Sequence, residues 1–489
     1  MSKKLALVTI FAVILIGMST SKFVIHSVVS EEQSLLNPMV VGDSTMRVAV
    51  KSTPRTIIVP DNYQTIQGAI DVANLGDIIF VKKGNYDEHL IVDKVVSIFG
   101  ENKETTVIDG SGEGTVMKMT SDNVTINGFT IRNGGKENWV DSGIALDQVK
   151  NCNISGNNIA NNGHGVYLYK SCHNSIFGNN ITANSWSGIW VSTSSNNNGI
   201  IGNEITANNE NGGIWLDSSS DNSVAGNNIA DNECGIWFCT PSSNSIVENN
   251  ITNNGYGLWV YVSPNNSIFH NNFLENQQHI YIFKSYGNSW NDDYPSGGNY
   301  WSSYVGIDIN SGLYQNEFGS DAIGDTPYSI DANNTDHYPL MAPFGTFKSG
   351  TGNNVTYNID IMSSSTVSKF QLNETQKKIS FNVIGTDHTL GFCRVSMPNI
   401  IVQNLLQSNY IVLVNGLPIE FRNWADSENT YIYFTYQHSE HEVTIIPKFS
   451  SIIVPPVFVI VTILAVIIIA ILLAVMVNRR KYSNVTVKK

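Results

Sequence analysis

Residues 235–262 read GIWFCTPSSNSIVENNITNNGYGLWVYV. Gly235-Ile236-Trp237-Phe238 returns 22 residues later as Gly257-Leu258-Trp259-Val260, with Asn-Ser-Ile-Val-Glu-Asn-Asn-Ile between them. Aligned outward from here, the same strand recurs at Gly143, Gly165, Gly188 and Gly213 and ends at His279-Ile280-Tyr281-Ile282, in steps of 22 to 25 residues. A second strand keeps phase with it: Ile154 to Ile159, Ile176 to Ile181, Ile200 to Ile205, Val224 to Ile229, Ile246 to Ile251 and Ile268 to Phe273. Self-similarity at this period is the mark of a solenoid. The segments are β-branched and aromatic, alternate with period two and are punctuated by Asn and Gly, which favours strands over helices. The expected fold is all-β, a right-handed parallel β-helix of about three short strands per coil, coils stacked roughly 4.8 Å apart.

In each Gly-Ile-Trp-Val unit the alternation sends Ile and Val inward and Trp outward. Tyr167, Trp190, Trp215, Trp237, Trp259 and Tyr281 therefore form one outward stripe. The Asn-Asn pairs (Asn157-Asn158, Asn179-Asn180, Asn227-Asn228, Asn249-Asn250, Asn271-Asn272) fall at the bends, where Asn tolerates the left-handed conformation and stacked amides can bond along the axis.

The rest of the 489 residues divides around this repeat. Lys3 and Lys4 before an apolar run to Gly17 read as a secretory signal, residues 1–22, followed by a linker, 23–54. The solenoid occupies 55–287, capped by an amphipathic helix at about Thr65 to Ala73. A Gly/Asp/Tyr-rich segment, 288–347, closes its other end, and alternating runs over 348–449 suggest a small antiparallel β-sandwich as a stalk. Val457 to Val477 is an apolar run without a charged residue, followed by Arg479, Arg480 and Lys481, so a single membrane helix is expected over 455–477 with a cytoplasmic tail, 478–489. The ectodomain would then be extracellular. It carries eight Asn-x-Ser/Thr sequons, and the five cysteines show no CxxC spacing, reading as packing residues with at most one bridge.

Tyr63-Gln-Thr-Ile-Gln-Gly-Ala-Ile-Asp71, Gly84-Asn-Tyr-Asp-Glu88, Val107-Ile-Asp-Gly110 and the Gly-Asn-Asn-Ile coils resemble NosD-type proteins of the pectin-lyase-like (CASH) superfamily. Gly298-Asn-Tyr-Trp301, Gly324-Asp-Thr-Pro-Tyr328 and Tyr338-Pro-Leu340 resemble that family's closing segment. The resemblance implies the β-helix and leaves activity open, because the superfamily holds lyases, hydrolases, epimerases and non-catalytic members. It also implies copper delivery, but His164, His173, His270 and His279 are scattered over several coils with no Met or Cys cluster, so copper is not expected.

A formal charge of -13 excludes nucleic acid as partner. Flat rings flanked by Asn, Ser and Thr suit the apolar faces and hydroxyls of a neutral polysaccharide or glycan, making the stripe the expected ligand-binding site. With no Lys or Arg between Ser171 and Phe283, a lyase lacks its basic reagent. A glycoside hydrolase would draw its two carboxylates from Glu210 and Glu233, with Asp217 and Asp231 as poorer choices. A structural envelope or adhesion protein would use the stripe to dock a protein partner. No cofactor is required by these readings, although Asp308, Asp321 and Asp325, with Asn310, supply hard oxygen ligands for Ca2+ in the closing segment.

Overall fold

The computed structural model describes residues 53–350 and 356–448. The signal segment, the linker but for its last two residues, the apolar run over 455–477 and the tail lie outside them; among the described residues no helix is long and apolar enough to cross a membrane.

The repeat winds into a parallel β-helix. Three sheets run along it, two of ten strands and one of nine. One coil contributes Asn153–Ser155 to sheet 1, His164–Tyr169 to sheet 2 and Asn158–Ala160 to sheet 3. The segment Ile154 to Ile159 is thus two strands rather than one. Gly156 turns the chain at φ 62° between them, and the two isoleucines point into the core from different sheets. The inward positions stack in register: Ile144, Val166, Ile189, Ile214, Ile236 and Leu258 are all fully buried. Each such burial is worth about 1.5–3 kcal/mol.

The glycine that begins each sheet 2 motif is there for space. A Cβ on Gly235 would lie 2.5 Å from the carbonyl oxygen of Gly257 and 2.9 Å from Cγ2 of Ile251, and Gly165, Gly188, Gly213 and Gly257 are equally crowded.

The Asn pairs do not adopt the left-handed conformation expected of them; the residue before each pair does, as Gly156, Gly178, Gly226, Glu248 and His270. The first Asn of each pair is instead buried. Asn157, Asn179, Asn203, Asn227, Asn249, Asn271 and Asn299 form a ladder in which each backbone N–H and Nδ2 donates to the next Oδ1 at 2.9–3.1 Å. Two parallel ladders start at Asn162 and Asn174.

The N-terminal helix, Ile66–Val72, is capped by the Thr65 hydroxyl and buries Ile66, Ala69 and Ile70 over the first coils. At the other end Trp301 stacks on Phe273 at 4.4 Å and 6°, and Tyr328 stacks on Trp301, closing the core with aromatic planes. Residues 344–350 and 356–447 form two five-stranded antiparallel sheets around a core of their own. This sandwich meets the solenoid through Phe344 on His270, Met362 among Ile323 and Leu340, and the buried Arg394 donating to the Asp321 and Pro295 carbonyls. The five cysteines are free thiols.

Candidate functional site

Sheet 2 carries the aromatic stripe on its outer face, as the alternation requires. Strand pairing sets Tyr167 opposite Trp190, and then Trp215, Trp237, Trp259 and Tyr281 in succession. The sandwich docks at the sheet 3 side and the closing segment, and among the described residues it contributes no ring contact to this column.

Coil spacing fixes how the rings meet. Strands about 4.8 Å apart hold side chains of the same column at a stacking distance. Tyr167 lies 4.5 Å from Trp190, Trp190 4.8 Å from Trp215 and Trp215 5.3 Å from Trp237, with interplanar angles of 25°, 7° and 18°. Toward the C-terminal end the stack tilts: Trp237–Trp259 makes 51° and Trp259–Tyr281 43°. The rings in the middle therefore spend their faces on one another and show edges outward. The indole Nε1 atoms of Trp190, Trp215 and Trp237 are buried without a hydrogen-bond partner among the described residues. A second, shorter column stands beside the tilted end, with Tyr261 stacked on Phe283 at 5.1 Å and both rings exposed.

The segment preceding Ser142 folds over the other half of the face, a feature the repeat did not signal. Trp139 packs on Trp186 at 5.0 Å and edge-on to Trp190 and Trp215 at 6.0 Å. His164 ties it down, with Nε2 3.1 Å from the Trp139 carbonyl and Nδ1 2.6 Å from the Ser187 hydroxyl. Burial pushes the His164 imidazole down to about 3, so it is neutral and structural.

The other expected site residues are dispersed. Glu210, at φ 30°, and Glu233 sit on exposed turns that precede sheet 2 strands of neighbouring coils, and neither carboxylate has a hydrogen bond or ion pair among the described residues. Asp217 accepts from the Ser218 hydroxyl, and Asp231 from Asn253. In the closing segment Asp308 accepts from the backbone of Asp321 and Ala322, Asp325 from Ile309 and Asn310, and Asp321 from Ile323 and Gln315. These carboxylates serve as turn acceptors, and among the described residues no three His, Cys, Asp or Glu side chains converge as a metal site. Desolvation raises Asp308 to about 7.

A family model described as the right handed beta helix region matches residues 94–196 and 142–293. A cell surface glycoprotein of Methanothermus fervidus is 30% identical over 131 residues, 26% of this chain; the match spans about a fifth, 21%, of that relative's length. Among solved structures, the pectate lyase Pel9A is 14% identical with a TM-score of 0.33, covering 51% of this chain and 74% of its own. The tailspike gp49 of the Acinetobacter baumannii bacteriophage Fri1, a capsular polysaccharide depolymerase, is 9% identical with a TM-score of 0.29, covering 81% and 84%. By its coils and by the family match, the solenoid of this chain is a right-handed β-helix.

Proposed function

We propose that this chain is a cell-surface protein whose β-helix binds carbohydrate on the outer face of sheet 2 without turning it over. The observation that carries the reading is the column of aromatic side chains from Tyr167 to Tyr281, in register and outward on one sheet, joined at its tilted end by Tyr256, Tyr261 and Phe283. Trp190 is buried beneath Trp139, but the partly exposed rings of Tyr167, Trp215, Trp237, Trp259 and Tyr281, with exposed hydroxyls three residues on at Ser218 and Thr240, match a ligand that is apolar on its ring faces and polar at its rim. The likeness to a cell surface glycoprotein supports the surface placement, and the apolar run at 457–477 supplies the anchor.

The test is a glycan array probed with the detergent-solubilised full chain. Trp215→Ala combined with Trp237→Ala is expected to weaken binding about tenfold, the worth of two aromatic contacts. An unsubstituted chain that binds no glycan overturns the reading. The near-parallel faces of Trp190, Trp215 and Trp237 favour a second role, bracing the coils. Unchanged binding with a lowered melting temperature in the double variant would assign the column to that role alone. Shortening of a bound polysaccharide, abolished by Glu233→Gln, would turn the assignment to a hydrolase.

A further inference from the structure

The column does not stop at Tyr167. Strand pairing continues it to Ala145, Lys118 and Ile91, so the ring that every later coil supplies is absent from Ala145 onward. There the surface opens into a cleft of about 400 Å3, lined by Thr115, Lys118, Val140, Ala145, Asp147 and Tyr167. That volume lies within the range of small-ligand sites, about 300–1,000 Å3.

We propose that this cleft is a subsite for a single neutral pyranose residue, which occupies the place of the missing ring and continues the stack. The inference rests on the carbohydrate reading above and names where one sugar ring sits. Stacked rings have two faces each, and in the column both are used except at the ends. One face of Tyr167 lies on Trp190; on the side of Ala145 the column supplies only a methyl group beside the cleft, and the further ring neighbours of Tyr167, His164 and Tyr169, have centroids 6.2 and 6.4 Å away. A ring seated on Ala145 stands one strand spacing, about 4.8 Å, from Tyr167, the contact distance for an apolar sugar face on an aromatic plane.

The polar side of the cleft suits the rim of such a ring. Lys118 Nζ lies 2.8 Å from Asp147 Oδ2, and Gln148 Nε2 donates to Asp147 Oδ1 at 3.3 Å. The hydrogen bond from Lys118 holds the Asp147 carboxyl below its ordinary range, so it is a fixed ionised acceptor. It retains free lone pairs, and the ammonium retains two N–H donors. An acceptor and a donor side by side take a vicinal pair of hydroxyls, one donating to Asp147 and its neighbour accepting from Lys118. The paired charges cancel, so no charged ligand is called for. No lysine or arginine lies between Ser171 and Phe283, so along the rest of the column this pairing is not repeated.

The experiment is saturation-transfer NMR on the full chain with the methyl glycosides of glucose, galactose and mannose, run beside the array. At least one glycoside is expected to bind. Ala145→Trp, which fills the cleft with the missing ring, should weaken it about tenfold or more. Asp147→Asn should do so about ten- to a hundredfold, the loss that accompanies a hydrogen bond to a charged group. Glycoside binding unaffected by Ala145→Trp overturns the subsite and leaves the carbohydrate reading standing. So does array binding with no glycoside bound. Absence of both overturns the reading, and the subsite with it.

Discussion

Each amide of the ladder from Asn157 to Asn299 donates and accepts. Asn203 donates through Nδ2 to the Ile176 carbonyl and to Asn227, donates its backbone N–H to Asn227, and accepts on Oδ1 from the backbone and Nδ2 of Asn179. A buried amide is tolerated only on those terms, because a lone donor in the core is expensive. Asn227→Ala strips the acceptor from two donors of Asn203 at once and is expected to cost about 2–4 kcal/mol. Asn228→Ala, next door but outside the ladder, with a side chain bonded among the described residues only to the exposed Glu204, should cost under about 1 kcal/mol. Urea unfolding followed by circular dichroism separates the two; equal effects would deny the ladder its part in stability.

A coil is held to its neighbours by spacing as much as by bonds. At Gly235 the next coil's backbone approaches so closely that an added methyl group meets a carbonyl oxygen at 2.5 Å, a contact that a backbone must move to relieve. Gly235→Ala is therefore expected to destabilise by about 1–3 kcal/mol, the range for overpacking. Gly202 is the contrasting position, with φ 62° and open space around it. Gly202→Asn, which tolerates the left-handed region, should fall within about 0.5 kcal/mol of the parent. Thermal melts of the two variants check this. The same spacing turns the aromatic stripe into a stack, leaving the widest access at Ala145 and at the tilted end.

Two sets of buried groups respond oppositely to acid. In the closing segment Asp336 is fully buried, bonded to Asn299 and to the Trp301 indole, and desolvation raises it to about 7, as it raises Asp308. Folded-state values above the ordinary 3.8 mean that folding takes up protons. The stability from these groups is complete below the unfolded value and is lost as pH rises toward 7. His164 and His270 are buried with lowered values, about 3 and about 4, so their stability is present above the ordinary 6.5 and is lost as pH falls. Between those limits the two sets oppose each other. Asp336→Asn removes one acidic contribution, so its melting temperature relative to the parent should fall as pH is lowered from about 7 to about 5. A constant difference over that range would show that Asp336 is ionised in the folded protein throughout it.

The solenoid, its capping helix and the outward stripe were legible because each is written in local chemistry: alternation along a strand, Thr65 before an amphipathic turn, and a period that repeats it coil by coil. The division of Ile154 to Ile159 between two sheets was hidden because one left-handed glycine decides it. The clasp of Trp139, Trp186 and His164 was hidden because Trp139 belongs to no repeat. Ala145 stood in the aligned column as a bare gap, and Lys118 lies on a strand without the Gly-x-aromatic pattern. Only the pairing of strands across coils brings Lys118, Ala145 and Tyr167 into line and turns ring faces toward one another, because contacts across a coil depend on which residues the winding superimposes, and no single repeat contains that information.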